Sequence, residues 1–461
     1  MDLSSFPLEY EPRRRLPLAF PAVLCALLLY LWVLGSGLYG LSPRGGPLVV
    51  LGALCAALTL LDLRIGLGLL IFAVGISPEF KLGGISNLRL EDFLFPVLFL
   101  GWLFQALARN ERFAPTNLKV PIMLTVLLSL VSSLQNSVYS QLDLLSGTLR
   151  MVKSLEYFLI FAVTLNVLRR KEDLRVFAYL MPVAASFVGI YGIWQSFLSD
   201  GRVTGPLGET SNVLGGYLVL HLCLAIGLLS SGTPHRPALL FAVAILLVPL
   251  LQTMSRTSCI ALFAGLVAMF AARRNRWTAA VLVASLLLVF ASTVISDRYH
   301  TIFDVFHGDA PQSLVMRLKG WMVFLEYLPQ KPLLGQGIGN KTLGAFDNEY
   351  VRQSFELGVL GLLVFAWMQV RILKKSYCLA RRCPDPTLRG FAFGVYGATV
   401  AFLVHALAAT TFSTIRTAEP FFFAVGVLYA IGLYFDGSSG LEEELPSELP
   451  GGTERGLPFH W

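Results

Sequence analysis

The sequence is short of charge. Asp, Glu, Lys and Arg together make up 14% of its 461 residues, against about 25% in an ordinary soluble domain. With so little polar surface, a chain that is 55% hydrophobic cannot cover itself in water, and a soluble enzyme is excluded. The apolar content also excludes a disordered chain, and the lack of a strict glycine period excludes a collagen-like one. Histidine and cysteine are scarce, six of each. Cys378 and Cys383 form a C-x4-C pair with no histidine or second cysteine pair beside it, which is poor spacing for zinc. No metal, cofactor or disulfide framework is expected. Internal and inverted repeats are absent.

What the sequence has is long apolar runs. A bilayer core takes roughly 20 helical residues, and runs of about that size follow one another from residue 17 to residue 435. The pair at 47–62 and 64–77 is short enough to form one re-entrant element, so about 12–14 spans are predicted. The expected architecture is an all-α polytopic membrane protein. A cytoplasmic N-terminus (1–16) precedes a transmembrane bundle (17–296). An outside loop (297–352), a second set of spans (353–435) and an acidic, solvated tail (436–461) complete the chain. The first run follows Arg13, Arg14 and Arg15 and lacks a cleavage site, so it reads as an anchor.

The net charge of +7 would suggest nucleic acid in a soluble domain. Here it is first a question of topology. With the N-terminus inside, 22 of the 36 Lys and Arg residues fall in inside loops, as the positive-inside rule requires. Both termini are then cytoplasmic, and no nucleic-acid partner is expected.

The outside basic residues need another reason. Arg202 lies in a glycine-rich turn, Arg256 in QTMSRTSC, and Arg150 and Lys153 open the sixth span. Snorkelling to the interface accounts for most such residues taken singly. Two arginines in short polar turns on one face suit a phosphate or diphosphate better. Ser211 or Asn212 would cap the helix after Arg202 and aim its N-terminus at the same anion. Within the outside loop, residues 313–328 are amphipathic and predict an interfacial helix on which Arg317 could turn toward a headgroup. The G-Q-G-I-G run at 335–339 reads as a flexible turn. Asp347, Asn348 and Tyr350 follow, just before a span. A carboxylate there is a candidate general base, although Asp or Asn at that place is more commonly a helix N-cap. His221 and His405 lie within spans and read as satisfied packing residues.

Three blocks taken in order carry a resemblance: RVTGPLGETSNVLGGYL, SRTSCIALFAG and PLLGQGIGNKTLGAFDNEYVRQSFELGVLGLL. With the many spans and one large late loop, they resemble the superfamily of O-antigen ligases and Wzy-type polymerases over roughly residues 150–420. The resemblance implies a metal-independent GT-C-type glycosyltransferase of the bacterial inner membrane, with its active site facing the periplasm. Its donor would be an undecaprenyl-diphosphate-linked glycan and its acceptor a second glycan or a lipid-linked glycan. Whether a chain-length regulator is also a partner is left open.

By the same resemblance, Arg202 and Arg256 hold the donor diphosphate; as the candidate base, Asp347 would orient or deprotonate the attacking sugar hydroxyl. From the charge pattern, Arg150, Lys153 and Arg317 are candidate secondary phosphate contacts, and Asn212, Asn348 and Tyr350 are candidate substrate contacts. Ligases usually carry His-Asn where this chain has Asp347-Asn348, and the aspartate looks more like the polysaccharide polymerases that build O-antigen or exopolysaccharide. The rival of another class is a membrane transporter, which would place ionisable residues or broken helices near the midplane.

Overall fold

The computed structural model describes residues 45–76, 80–82, 85–139, 144–198, 201–206, 210–291, 321–322, 324–340 and 347–443. These residues are almost entirely helical. The helices are α1 (Gly45–Leu61), α2 (Leu63–Ile76), α3 (Leu90–Ala108), α4 (Lys119–Tyr139), α5 (Leu144–Val167), α6 (Lys171–Leu198) and α7 (Ser211–Ser230). They continue with α8 (Arg236–Gln252), α9 (Arg256–Ala272), α10 (Arg276–Ala291), α11 (Glu349–Arg382), α12 (Pro386–His405) and α13 (Ile415–Glu443). One short antiparallel hairpin, β1 (Phe80–Leu82) with β2 (Ile85–Leu88), joins α2 to α3.

Seven of these helices are long and apolar enough to cross a membrane, from Leu90–Ala108 to Ile415–Phe435. Four shorter apolar helices accompany them, Gly52–Leu61, Leu63–Ile76, Arg236–Gln252 and Arg256–Ala272. The protein is thus an all-α polytopic membrane protein. The first predicted span, its flanking N-terminus, Arg317 and most of the loop around it lie outside the described residues. One boundary differs from expectation. Helix α13 runs on to Glu443, past the point where the acidic tail was expected to begin.

Successive helices alternate in direction, so their ends collect in two layers. One layer holds the N-termini of α3, α5, α7, α9, α11 and α13; it is called the site end below. At the far end Arg64 pairs with Asp173 at 3.1 Å, and Arg169 with Glu111 at 2.9 Å. Also at the far end, Asp385 caps α12 by accepting from the Thr387 and Leu388 amides, each at 3.0 Å, and it pairs with Arg175 and Lys171. Burial alone would raise the Asp385 pKa. The hydrogen bond from Arg175 and the capping amides outweigh it and hold the carboxyl below its usual range.

Helix α12 sits at the centre, and small residues let its neighbours reach it. A Cβ on Gly227 of α7 would stand 2.4 Å from the Gly394 nitrogen, and one on Gly265 of α9 would stand 2.8 Å from the Gly397 carbonyl. Such backbone-to-backbone contact is how helices associate in lipid, where hydrophobic burial offers no preference for one partner over another.

Candidate functional site

The two loops that carry Arg202 and Arg256 are distant in sequence and paired in space. The Val203 amide donates to the Gln252 carbonyl at 3.2 Å, and Arg202 Nε donates to the Thr253 carbonyl at 2.9 Å. Gly205 turns the first loop with φ +80°, a conformation that glycine adopts without strain. Ser255 caps α9, its Oγ accepting from the Ser258 amide, so Arg256 is the first residue of the helix. Arg202 therefore lies beside the turn that delivers Arg256. Both arginines stand near helix N-termini, where unpaired amides favour an anion.

A chain of polar contacts ties this pair to the third block. Ser255 Oγ donates to Asn212 Oδ1 at 2.7 Å, and Asn212 Nδ2 donates to the Ala408 carbonyl at 3.2 Å. Asn348 Nδ2 donates to the Leu407 carbonyl at 2.9 Å, and the Glu349 amide donates to the Ala406 carbonyl at 2.9 Å. The turn at 406–408, at the end of α12, thus holds the starts of α7, α9 and α11 together. Below it, His405 is buried with both ring nitrogens in contact, Nε2 with Ser258 Oγ at 3.1 Å and Nδ1 with Thr411 Oγ1 at 2.8 Å. Glycine makes room for this. A Cβ on Gly215 would stand 2.2 Å from Ser258 Oγ, and one on Gly216 would stand 3.0 Å from the His405 ring.

Several expectations change in detail. The cap of α11 is Asn348, whose Oδ1 accepts from the Tyr350 and Val351 amides at 2.8 and 3.1 Å, while Asp347 stands one residue outside the helix and exposed. Neither Ser211 nor Asn212 caps α7. Thr210 occupies that place without a side-chain bond, and the Asn212 amide bridges two loops instead. Tyr350 spends its hydroxyl on the Leu403 carbonyl at 2.7 Å. His221 is only half satisfied. Its Nδ1 meets the Tyr217 carbonyl at 2.8 Å, and Nε2 is buried without a hydrogen-bond partner.

The glycine-rich run is a stitch rather than a flexible turn. Helix α11 breaks at Gly358, which has φ +68° and ψ −170°, values essentially restricted to glycine. The turn segment 332–337 supplies the missing hydrogen bonds. Gln336 N donates to Phe355 O at 2.7 Å, Gly337 N to Glu356 O at 3.1 Å, and Val359 N to Pro332 O at 2.8 Å. The two glycines meet backbone to backbone, since a Cβ on Gly335 would stand 2.5 Å from the Gly358 nitrogen.

The larger omission from the sequence reading is a buried set of ion pairs at the site end. Lys153 Nζ lies 2.7 Å from Asp92, 2.6 Å from Glu156 and 3.3 Å from Glu419. Arg352 pairs with both Glu349, at 2.6 Å, and Glu356. Arg150 reaches Glu356 at 3.6 Å, and Arg416 reaches Glu91 at 3.6 Å. Lys153 was expected to be a phosphate contact, and the structure surrounds it with three carboxylates. The spacings Lys153-x-x-Glu156, Glu349-x-x-Arg352-x-x-x-Glu356 and Arg416-x-x-Glu419 are the signal that could have shown them.

Residues 241–366 match the family model Wzy_C, described as O-Antigen ligase. The match runs from α8 into the first half of α11, and so contains Arg256, Ser258, Asp347 and Asn348. It is consistent with the O-antigen ligase and polymerase superfamily and supports a multi-pass membrane protein that transfers glycosyl groups. Comparison with curated proteins gives no match.

Proposed function

We propose that the chain is a membrane glycosyltransferase that polymerises polyprenyl-diphosphate-linked oligosaccharide repeats into O-antigen or exopolysaccharide. The observation that carries this reading is the pairing of the Arg202 loop with the turn before Arg256, at the end of the bundle where Asp347 precedes α11. Two arginines carried on paired loops near a helix N-terminus suit a diphosphate, since each offers a planar fork to phosphate oxygens.

In the proposed reaction the acceptor sugar hydroxyl attacks the anomeric carbon of the donor. The bond from that carbon to the diphosphate oxygen breaks, and polyprenyl diphosphate leaves. Arg202 and Arg256 balance the charge that grows on the leaving oxygen. Asp347 takes the proton of the attacking hydroxyl, a role typically worth about 10²–10⁴ in rate. Attack opposite the leaving group inverts the anomeric centre. The arginines supply the positive charge, so the proposal requires no metal. In this reading the site end faces the periplasm and both termini face the cytoplasm.

The matching family, O-Antigen ligase, favours a second reading, in which the finished glycan is transferred to lipid A-core or another acceptor. Glycan profiles of cells carrying Arg202→Ala, Arg256→Ala or Asp347→Asn at normal protein levels test both readings. Loss of polymerase leaves single repeats on the acceptor. Loss of ligase leaves long polymer on the polyprenyl carrier. Normal profiles in both arginine variants would sink the diphosphate role.

A further inference from the structure

At the far end of the bundle, three helices bring arginines together, none of them paired with a carboxylate among the described residues. Arg273 lies just beyond α9, Arg381 in the last turn of α11, and Arg389 in the first turn of α12. Arg273 Nη1 is 3.5 Å from the Ala380 carbonyl, and its guanidinium is 5.7 Å from the centre of the Phe393 ring. Arg381 lies over Tyr377 at 4.7 Å. The Nε of Arg389 is buried and has no hydrogen-bond partner. Burial, and then the charges of Arg389 and Arg381, pull the Arg273 pKa down. The carboxylate between α11 and α12, Asp385, is already shared by Arg175 and Lys171.

Arg273 thus touches the residue before Arg381 and the ring one helical turn after Arg389, and three like charges at one junction, with a buried N–H donor lacking an acceptor, call for an anion with several oxygens. From this arrangement we infer that the junction of α9, α11 and α12 binds a phosphate group, that of an anionic phospholipid headgroup. The site lies at the ends of membrane-spanning helices, where headgroups lie. Guanidinium forks meet phosphate oxygens two at a time, and Phe393 and Tyr377 hold two of the three forks by their faces. An anion there would brace α12, the helix whose other end carries His405 and the turn at 406–408.

The test uses the full chain purified in neutral detergent. Phosphatidylglycerol, phosphatidylcholine and inorganic phosphate are each titrated in, with binding read by native mass spectrometry and by thermal shift. Wild type should retain phosphatidylglycerol over phosphatidylcholine. Each arginine near an anionic headgroup contributes about five-fold in affinity, so R273Q/R389Q should lose about twenty-five-fold. Inorganic phosphate binding as tightly as the lipid, and equally lost in that variant, would support the phosphate site and assign it to free phosphate. Should the double variant fail to fold, R381Q, at an exposed position, should lose about five-fold. Equal retention of both lipids with no phosphate binding would overturn the inference. So would phosphatidylglycerol binding that is unchanged in the arginine variants.

Discussion

Lys153→Met removes the cation that pairs with Asp92, Glu156 and Glu419. Its ammonium lies 2.6–3.3 Å from all three carboxylates. Asp92 and Glu156 keep some access to water, whereas Glu419 is 1% exposed. The variant therefore leaves one fully buried carboxylate and two partly hydrated ones without their counter-charge. Breaking a buried pair by removing one partner costs about 3–5 kcal/mol. Unfolding entropy of about 2 cal/mol/K per residue over a chain of this length gives roughly 1 kcal/mol per degree, so the melting temperature should fall by about 3–5 °C. Glu419→Gln in the Lys153→Met background should recover about half of the loss, because it neutralises the carboxylate that water cannot reach. The assay is thermal unfolding of the detergent-solubilised full chain, followed by size-exclusion of a fluorescent fusion. A Lys153→Met protein within one degree of wild type would refute the argument, and so would a double variant no more stable than the single one.

Three further outcomes follow from the same structure. Gly358→Ala puts a Cβ 2.2 Å from the Leu333 carbonyl oxygen in a backbone region closed to alanine, and should cost about 1–3 kcal/mol in the same thermal assay. Gly215→Ala forces Ser258 Oγ away from a position 2.2 Å from the new methyl; the Ser258–His405 contact should break and glycan transfer should fall at least ten-fold in cells at normal protein levels. For Asp385, the folded pKa lies below the unfolded one, so its contribution is present above the unfolded value of about 3.9 and is lost as pH falls through the folded value. Wild type should accordingly lose melting temperature below about pH 4, while Asp385→Asn starts lower and changes less over that range.

The sequence by itself determined the membrane class and most of the helices. A run of apolar residues as long as a bilayer is thick has one stable form in lipid, a helix that satisfies its own backbone. Charge scarcity likewise made Arg202 and Arg256 conspicuous, and the family-like blocks around them are contiguous stretches of chain. Only the tertiary structure decided what those residues meet. Thr253 as the partner of Arg202 and the turn at 406–408 as the tie between three helix starts depend on packing across 50 to 200 residues of chain. Asn348 rather than Asp347 caps α11 because cap geometry is set by where the helix begins, a boundary that composition leaves open by a residue or two.

The buried ions were overlooked for a physical reason. Apolar averaging treats charges at the edge of a span as exposed boundary residues, yet helices α5, α11 and α13 run through Lys153, Arg352 and Arg416, because each finds its counter-charges on its own helix or on neighbouring ones. Pairing across helices makes such burial tolerable, and pairing across helices is a property of the fold. The few charges that first marked the chain as a membrane protein therefore divide three ways. Some carry the orientation expected from the positive-inside rule, two mark the proposed site, and a buried group locks the helix ends beside it.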